Sequence, residues 1–136
     1  MNTDIVETTL YVRYAETDQM GIVHHSTYII WMEEGRSDFM RQKQVDYAEV
    51  EKRGLALAVT ELNVRYSGSA HYGEQVTVRT WVESLRSRML VFGYEIINTK
   101  SKQKLITGEV KLTMINKQGQ VVTMPEDIQA ALRPTA

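Results

Sequence analysis

Residues 14–36 read YAETDQMGIVHHSTYIIWMEEGR, a segment that joins a short polar turn to the start of an amphipathic helix. From about residue 26 to residue 42, apolar side chains recur every three or four positions. The apolar set is Tyr28, Trp31, Met32, Gly35, Phe39 and Met40. This spacing predicts one helix with a broad apolar stripe, and it places Glu33 and Glu34 on the solvated or interface-facing side.

The segments around this helix alternate apolar and polar side chains, which is the period of half-buried strands. One such run, 5–14, precedes the helix, and four follow it at 55–66, 76–85, 89–98 and 105–116. The gaps 86–88 and 99–103 are short enough for hairpins, so these strands are expected to be antiparallel neighbours. Segment 45–53 suits a short helix or a covering loop, and Pro125 with the two acids after it predicts a short C-terminal helix.

The order β-α-β-β-β-β predicts an α+β fold. A single apolar helix followed by an antiparallel sheet is buried most economically when the sheet wraps around it. We therefore expect about five antiparallel strands around one long central helix. The chain has 136 residues, with no repeat or linker and prolines only at 125 and 134, so a single domain spanning 1–136 is expected.

Composition narrows the class of protein. The chain is 43% hydrophobic and 24% charged, which is typical of globular proteins, and its net charge of -1 offers no basic field for nucleic acid. No apolar run reaches the roughly 18 residues of a membrane span, and the N-terminus lacks the pattern of a signal peptide, so we expect a cytoplasmic protein without membrane insertion. The absence of cysteine leaves oxygen and imidazole as the reactive groups.

Two features of the turn before the helix are chemically suggestive. Asp18 and Gly21 occupy the first and fourth positions of a type I turn, which these residues favour without any catalytic role. His24 and His25 follow as a pair, but consecutive side chains diverge and the sequence places no third ligand near them. We therefore expect no metal site here and no cofactor.

The pattern Tyr14-x-x-x-Asp18-x-x-Gly21-Ile-Val-His24-His25-x-x-Tyr28, followed by Trp31 and Gly35-Arg36, resembles the signature of hotdog-fold acyl-CoA thioesterases of the 4-hydroxybenzoyl-CoA thioesterase family. It is most similar to the YbgC-type branch, and residues 65–66 and 70–76 resemble that branch as well. The resemblance spans roughly residues 5–115. Ser69 stands where relatives often have proline, and His24 where they often have an aromatic residue.

This resemblance implies a hotdog fold and hydrolysis of an acyl-CoA thioester to a carboxylic acid and free CoA. Asp18 would be the nucleophile or general base, and because an unperturbed aspartate is a weak base, direct attack is slightly favoured. The backbone N–H of His25, at the helix start, would face the thioester carbonyl. The resemblance also places the His25 side chain beside Asp18 or a water, and Tyr14 in the site.

The remaining expected contacts are with substrate. Arginines on the 86–88 hairpin would bind CoA phosphates, although the lysines at 100, 102 and 104 crowd the next hairpin and either set could simply be solvated. His71 and Tyr72 would approach the acyl group from a neighbouring subunit, and Tyr28 is also expected in the core. The expected substrate-binding residues are Gly21, Val23, His24, Tyr28, His71, Tyr72, Arg86 and Arg88.

The resemblance implies a homodimer or a dimer of dimers, such as a homotetramer, acting on acyl-CoA or an acyl-carrier-protein thioester. One alternative is a non-catalytic acyl-binding or scaffold module, which Asp18 argues against, because a carboxylate beside an apolar groove weakens binding. The other is a hotdog hydratase or dehydratase. That class usually carries a long loop with Pro and Gly before the helix, and this sequence lacks it.

Overall fold

The computed structural model describes residues 4–134, which form five strands and three α-helices. No helix within these residues is both long and apolar enough to cross a membrane. The strands are β1 Val6–Tyr11, β2 Ala56–Tyr66, β3 Gln75–Leu85, β4 Met89–Asn98 and β5 Lys104–Ile115. The helices are α1 Thr27–Gln42, α2 Tyr47–Lys52 and α3 Glu126–Leu132, and a 3-10 helix spans Tyr14–Glu16.

The strands form one sheet in the order β1-β3-β4-β5-β2, and every neighbouring pair is antiparallel. Strands β3, β4 and β5 follow one another through the two predicted hairpins. The predicted α+β arrangement, with five antiparallel strands and one long helix in the order β-α-β-β-β-β, is therefore confirmed. The ambiguous segment 45–53 forms helix α2, whose N-cap Asp46 accepts a hydrogen bond from the N–H of Ala48.

The first strand is shorter than predicted, and Tyr14 lies outside it. Strand β1 ends at Tyr11, and Tyr14 instead begins the 3-10 helix, where 77% of its surface is exposed. The cause is local: the carboxylate of Glu16 accepts a hydrogen bond from the N–H of Arg13 at 2.7 Å, while the N–H of Glu16 donates to the carbonyl of Arg13 at 3.0 Å. These reciprocal bonds bend the chain before the alternating pattern ends.

Helix α1 supplies the centre of the core. Every member of its predicted apolar stripe is buried, including Trp31 at 3% exposure and Phe39 at 1%. Phe39 meets Phe92 of β4 edge to face, with ring centroids 5.5 Å apart. Burial of this stripe fixes the helix against the sheet, so the position of its N-terminus follows from core packing.

The two ends of the sheet carry different loops. Tyr11 at the end of β1 pairs with Gln75 at the start of β3, and the N–H of Thr99 in the β4–β5 hairpin donates to the carbonyl of Gln75. The N-terminus of α1 and the end of β2 lie at this same end, because the hydroxyl of Tyr66 donates to the carbonyl of His25. The β3–β4 hairpin, 86–88, lies at the opposite end.

Gly35 allows α1 to approach β3 closely. A Cβ atom at this position would lie 2.6 Å from Thr80 Oγ1 and 2.7 Å from Val78 Cγ1, well inside normal contact distance. Both neighbours are β-branched residues with few alternative rotamers. The absence of a side chain at position 35 is therefore a packing requirement.

Replacing Gly35 with alanine is expected to destabilise the protein by about 1 to 2 kcal/mol. Alanine gains about 1 kcal/mol in helix propensity, but a Cβ at these distances is expected to cost about 2 to 3 kcal/mol, the upper part of the usual range for overpacking. Urea denaturation measures the difference. Ser37→Ala on the same helix is the control, since it also raises helix propensity and is expected to be neutral or slightly stabilising. An unchanged or increased stability in Gly35→Ala would contradict the packing requirement.

Candidate active site

Residues 16–24 form a narrow antiparallel loop that carries Asp18 at its tip. At the base, the N–H of His24 donates to the carbonyl of Glu16 at 3.0 Å. The N–H of Asp18 then donates to the carbonyl of Ile22 at 2.9 Å. At the tip, the N–H of Gly21 donates to the carbonyl of Asp18 at 3.0 Å, and Gly21 has a φ of 77°. The predicted turn from Asp18 to Gly21 is confirmed, and glycine supplies its left-handed conformation.

The Asp18 carboxylate is exposed, but one of its oxygens is held by the backbone. Oδ1 accepts hydrogen bonds from the N–H of Met20 at 2.8 Å and of Ile22 at 3.2 Å. Oδ2 accepts no hydrogen bond from any residue in the range 4–134. An oriented carboxylate with one unengaged oxygen can attack an electrophile or accept a proton from water.

A second segment, 70–73, pairs with this loop and brings together the two motifs of the sequence. The N–H of Val23 donates to the carbonyl of Ala70 at 3.0 Å, and the N–H of Tyr72 donates to the carbonyl of Gly21 at 3.2 Å. The rings of Tyr14 and Tyr72 meet edge to face, with centroids 5.5 Å apart. His71 and Tyr72 therefore lie beside the Asp18 loop of their own chain. Their expected approach to the acyl group of a neighbouring subunit stays a prediction.

One backbone N–H just before α1 is unengaged. The carbonyl of His25 accepts the hydroxyl of Tyr66 at 2.8 Å, while the N–H of His25 has no acceptor within the described part of the chain. This N–H lies two residues before the first turn of α1, where the helix dipole favours negative charge. Tyr66 is a site neighbour to which the sequence analysis assigns no role, because its contact depends on where the end of β2 lies.

The side chains of His24 and His25 are both exposed. Among residues 4–134, no group of three His, Cys, Asp or Glu side chains is arranged to hold a metal ion.

Tyr28 is a core residue, as predicted, and 2% of its surface is exposed. Its hydroxyl accepts a hydrogen bond from the N–H of Ala70 at 2.9 Å, and its ring meets that of Tyr66 at 5.8 Å. Tyr28 therefore links α1 to segment 70–73 from the core side. Its expected contact with substrate stays a prediction.

The two cationic hairpins lie at different ends of the sheet. Arg86 and Arg88 follow the end of β3, about 30 Å along that strand from the Asp18 loop at a rise of about 3.3 Å per residue. Within one chain they are too distant to share a site with Asp18. The hairpin that carries Lys100, Lys102 and Lys104 lies at the same end as the Asp18 loop.

Glu16, at the base of the Asp18 loop, is a site residue that no sequence motif indicates. Its side chain is buried, and its carboxylate accepts three hydrogen bonds: Oε1 from the N–H of Arg13, and Oε2 from Nη2 of Arg13 at 3.2 Å and Nε1 of Trp31 at 3.0 Å. Burial acts to raise the pKa of Glu16, but these hydrogen bonds outweigh it and hold the pKa below its usual value of 4.5. The spacing from Arg13 is visible in the sequence, whereas the contact with Trp31 is not.

Comparisons with known proteins agree with this architecture. Residues 12–132 match the thioesterase-like superfamily. The chain is 45% identical over 87 residues to the putative acyl-CoA thioesterase YneP of Bacillus subtilis, an alignment that covers 64% of this chain and 63% of YneP. It is 27% identical over 101 residues to the acyl-CoA thioester hydrolase YbgC of Escherichia coli O157:H7, covering 74% of this chain and 75% of that protein.

Among solved structures, DHNA-CoA thioesterase from Staphylococcus aureus superposes with a TM-score of 0.89 at 36% identity. The match covers 93% of this chain and 87% of that one. The sheet, the central helix and these neighbours define a hotdog thioesterase fold. The chain belongs to the thioesterase-like superfamily, in the 4-hydroxybenzoyl-CoA thioesterase group that the sequence resembles.

The lowered pKa of Glu16 predicts a pH-dependent contribution to stability. The contribution is complete above the usual value of 4.5 and is lost as the pH falls through the lower pKa of the folded protein. Glu16→Gln is expected to cost about 1 to 3 kcal/mol near neutral pH, because a buried donor then faces an amide N–H₂. Its deficit relative to wild type is expected to shrink in acid.

Urea denaturation over a series of pH values from neutral to strongly acidic measures this difference. Glu83→Gln is the control, because Glu83 also accepts a tryptophan Nε1–H, from Trp81 at 3.2 Å, but at an exposed site. Glu83→Gln is expected to change the free energy of unfolding by no more than about 0.5 kcal/mol. A Glu16→Gln deficit that is constant over the whole pH range would show that the ionised carboxylate is not the stabilising species.

Proposed function

We propose that this chain hydrolyses acyl-CoA thioesters to a carboxylic acid and free CoA, with Asp18 as the nucleophile or general base. Family membership and the acyl-CoA thioesterases among its relatives support the activity. The observation that carries the role of Asp18 is its geometry: one oxygen is fixed by two backbone N–H groups and the other is unengaged. The same short loop ends next to the unengaged N–H of His25.

The proposed chemistry uses these two groups on the same carbonyl. The N–H of His25 polarises the thioester oxygen, and the partial positive charge at the α1 N-terminus favours the oxyanion. Attack by Asp18 forms an acyl-aspartyl anhydride and expels the CoA thiolate, after which water cleaves the anhydride and restores the carboxylate. In the general-base alternative, Asp18 accepts a proton from the attacking water. An aspartate is a weak base at neutral pH, which favours direct attack.

A second copy of the chain is part of the proposal. Strand β2 is an edge strand of eleven residues with exposed Val59, Leu62 and Tyr66, and a long apolar edge strand is a template for pairing. The Asp18 loop is likewise surrounded by exposed apolar side chains, among them Tyr14 and Met20. A homodimer would cover these surfaces, and it is also the way in which Arg86 and Arg88 of one subunit could reach a site in another.

A cytoplasmic location is also part of the proposal.

The acyl group is proposed to be a hydroxylated aromatic one, such as that of DHNA-CoA. The Staphylococcus aureus neighbour, 36% identical over nearly the whole chain, supports this substrate.

Asp18→Asn is expected to lower kcat by at least about 100-fold on every thioester that the wild type hydrolyses, because the amide is neither nucleophile nor base. Free-thiol release measures turnover, and circular dichroism and sizing check the fold. Asp46→Asn is the matched control, since Asp46 also accepts a backbone N–H but caps α2. Equal turnover in Asp18→Asn and wild type would remove Asp18 from the mechanism.

A substrate panel tests the acyl preference. The expected order of kcat/KM is DHNA-CoA and 4-hydroxybenzoyl-CoA above benzoyl-CoA, and benzoyl-CoA above palmitoyl-CoA, with about 10-fold or more between the first group and the last. The corresponding acyl-carrier-protein thioesters test the carrier. A higher kcat/KM for palmitoyl-CoA would reject the aromatic preference. Saturable binding without turnover of any thioester would instead favour the non-catalytic acyl-binding module.

A further inference from the structure

Glu16 connects the two halves of the proposed site. Its backbone carbonyl accepts the N–H of His24, one residue before His25, at 3.0 Å. Its side chain reaches Nε1 of Trp31, in the second turn of α1, at 3.0 Å. Together these contacts form a closed cycle. The cycle runs from the Glu16 side chain to Trp31, back along the first turns of α1 to His24, and from the His24 N–H to the Glu16 carbonyl.

Both reacting groups lie within two residues of this cycle of contacts. Asp18 lies two residues after Glu16 on a loop held by backbone hydrogen bonds, and the N–H of His25 immediately follows His24. A shift of Glu16 relative to α1 therefore changes the separation between the Asp18 carboxylate and the His25 N–H. An error of about 1 Å in such a separation can cost about 100-fold in rate.

The remaining partners of Glu16 orient its carboxylate without reaching the helix. The N–H and Nη2 of Arg13, the residue that precedes the 3-10 helix of Glu16, both donate to it. Trp31 is the partner on α1, and its indole is buried in the core at 3% exposure. Trp31 is therefore held rigidly in the core, and its hydrogen bond to Glu16 fixes the position of the Asp18 loop relative to α1.

We propose that Glu16 is a positioning residue for thioester hydrolysis, which sets the Asp18 carboxylate against the His25 N–H through its hydrogen bond to Trp31. This inference rests on the proposed function. Glu16 itself does not touch the substrate. Its loss is therefore expected to lower kcat and to leave substrate binding largely intact.

The test uses two pairs of identical substitutions. Trp31→Phe removes the donor of the link to α1 and leaves both contacts with Arg13 in place. Glu16→Gln replaces one of the two acceptor oxygens with an amide N–H₂, so that the donors of Arg13 and Trp31 compete for a single oxygen. Glu83→Gln and Trp81→Phe make the same two changes at the corresponding hydrogen bond on the outer face of the sheet, which is 3.2 Å long. Free-thiol release is measured on the acyl-CoA that the wild type turns over fastest. Affinity is measured with the non-hydrolysable thioether analogue of that substrate.

Glu16→Gln and Trp31→Phe are expected to lower kcat per folded protein by about 10- to 100-fold, with analogue affinity within about threefold of wild type. The kcat of the double variant is expected to lie within about twofold of that of the slower single variant, because both substitutions weaken the same link. The control pair is expected to match wild type. Wild-type kcat in folded Trp31→Phe, or equal losses in the control pair, would overturn the proposal.

A readout that does not depend on turnover separates this inference from the proposed function. The N–H groups of Met20 and Ile22 donate to Asp18, so their hydrogen exchange, measured by NMR, reports on the loop. In Trp31→Phe both are expected to exchange at least about threefold faster, and in Trp81→Phe both are expected to be unchanged. An inactive wild type would reject the proposed function, whereas unchanged exchange in Trp31→Phe would reject the positioning role whether or not the chain is active.

Discussion

The burial of the apolar stripe of α1 against the sheet is the constraint on which the rest of the structure depends. Gly35 lets the helix approach β3 to a distance that no side chain would allow, and Trp31 is buried one turn earlier. A buried indole must satisfy its N–H, and the carboxylate of Glu16 does so. Core packing therefore determines where the chain enters the loop that carries Asp18.

Two carboxylates that are two residues apart have opposite environments. Glu16 is buried, all its hydrogen bonds come from within the protein, and its pKa is held below the usual value. Asp18 is exposed, and one of its oxygens is unengaged. The first environment suits a fixed structural anion and the second suits a reactive one. The surroundings, and not the residue type, separate the two roles.

The elements could be predicted from the sequence because their periodicity is strong and local. Helix α1 and the strands β2 to β5 begin and end within one residue of the predicted bounds. The prediction that Tyr14 lies on the first strand is wrong, because hydrogen bonds between Arg13 and Glu16 override the alternating pattern. The predicted turn at Asp18 is correct, since turn preference depends on a few adjacent residues. Oligomeric state and the roles of the site residues stay predictions.

The sequence by itself determined the fold class and the turn that presents Asp18, because each is encoded by neighbouring residues or by a regular period, and it indicated the family through the resemblance of its motifs. Only the tertiary structure decided which distant segments meet. It brought His71 and Tyr72 to the Asp18 loop of their own chain, and it paired Glu16 with Trp31. It also placed Arg86 at the far end of the sheet. These contacts depend on strand order and on the depth at which α1 packs, and no local pattern specifies either.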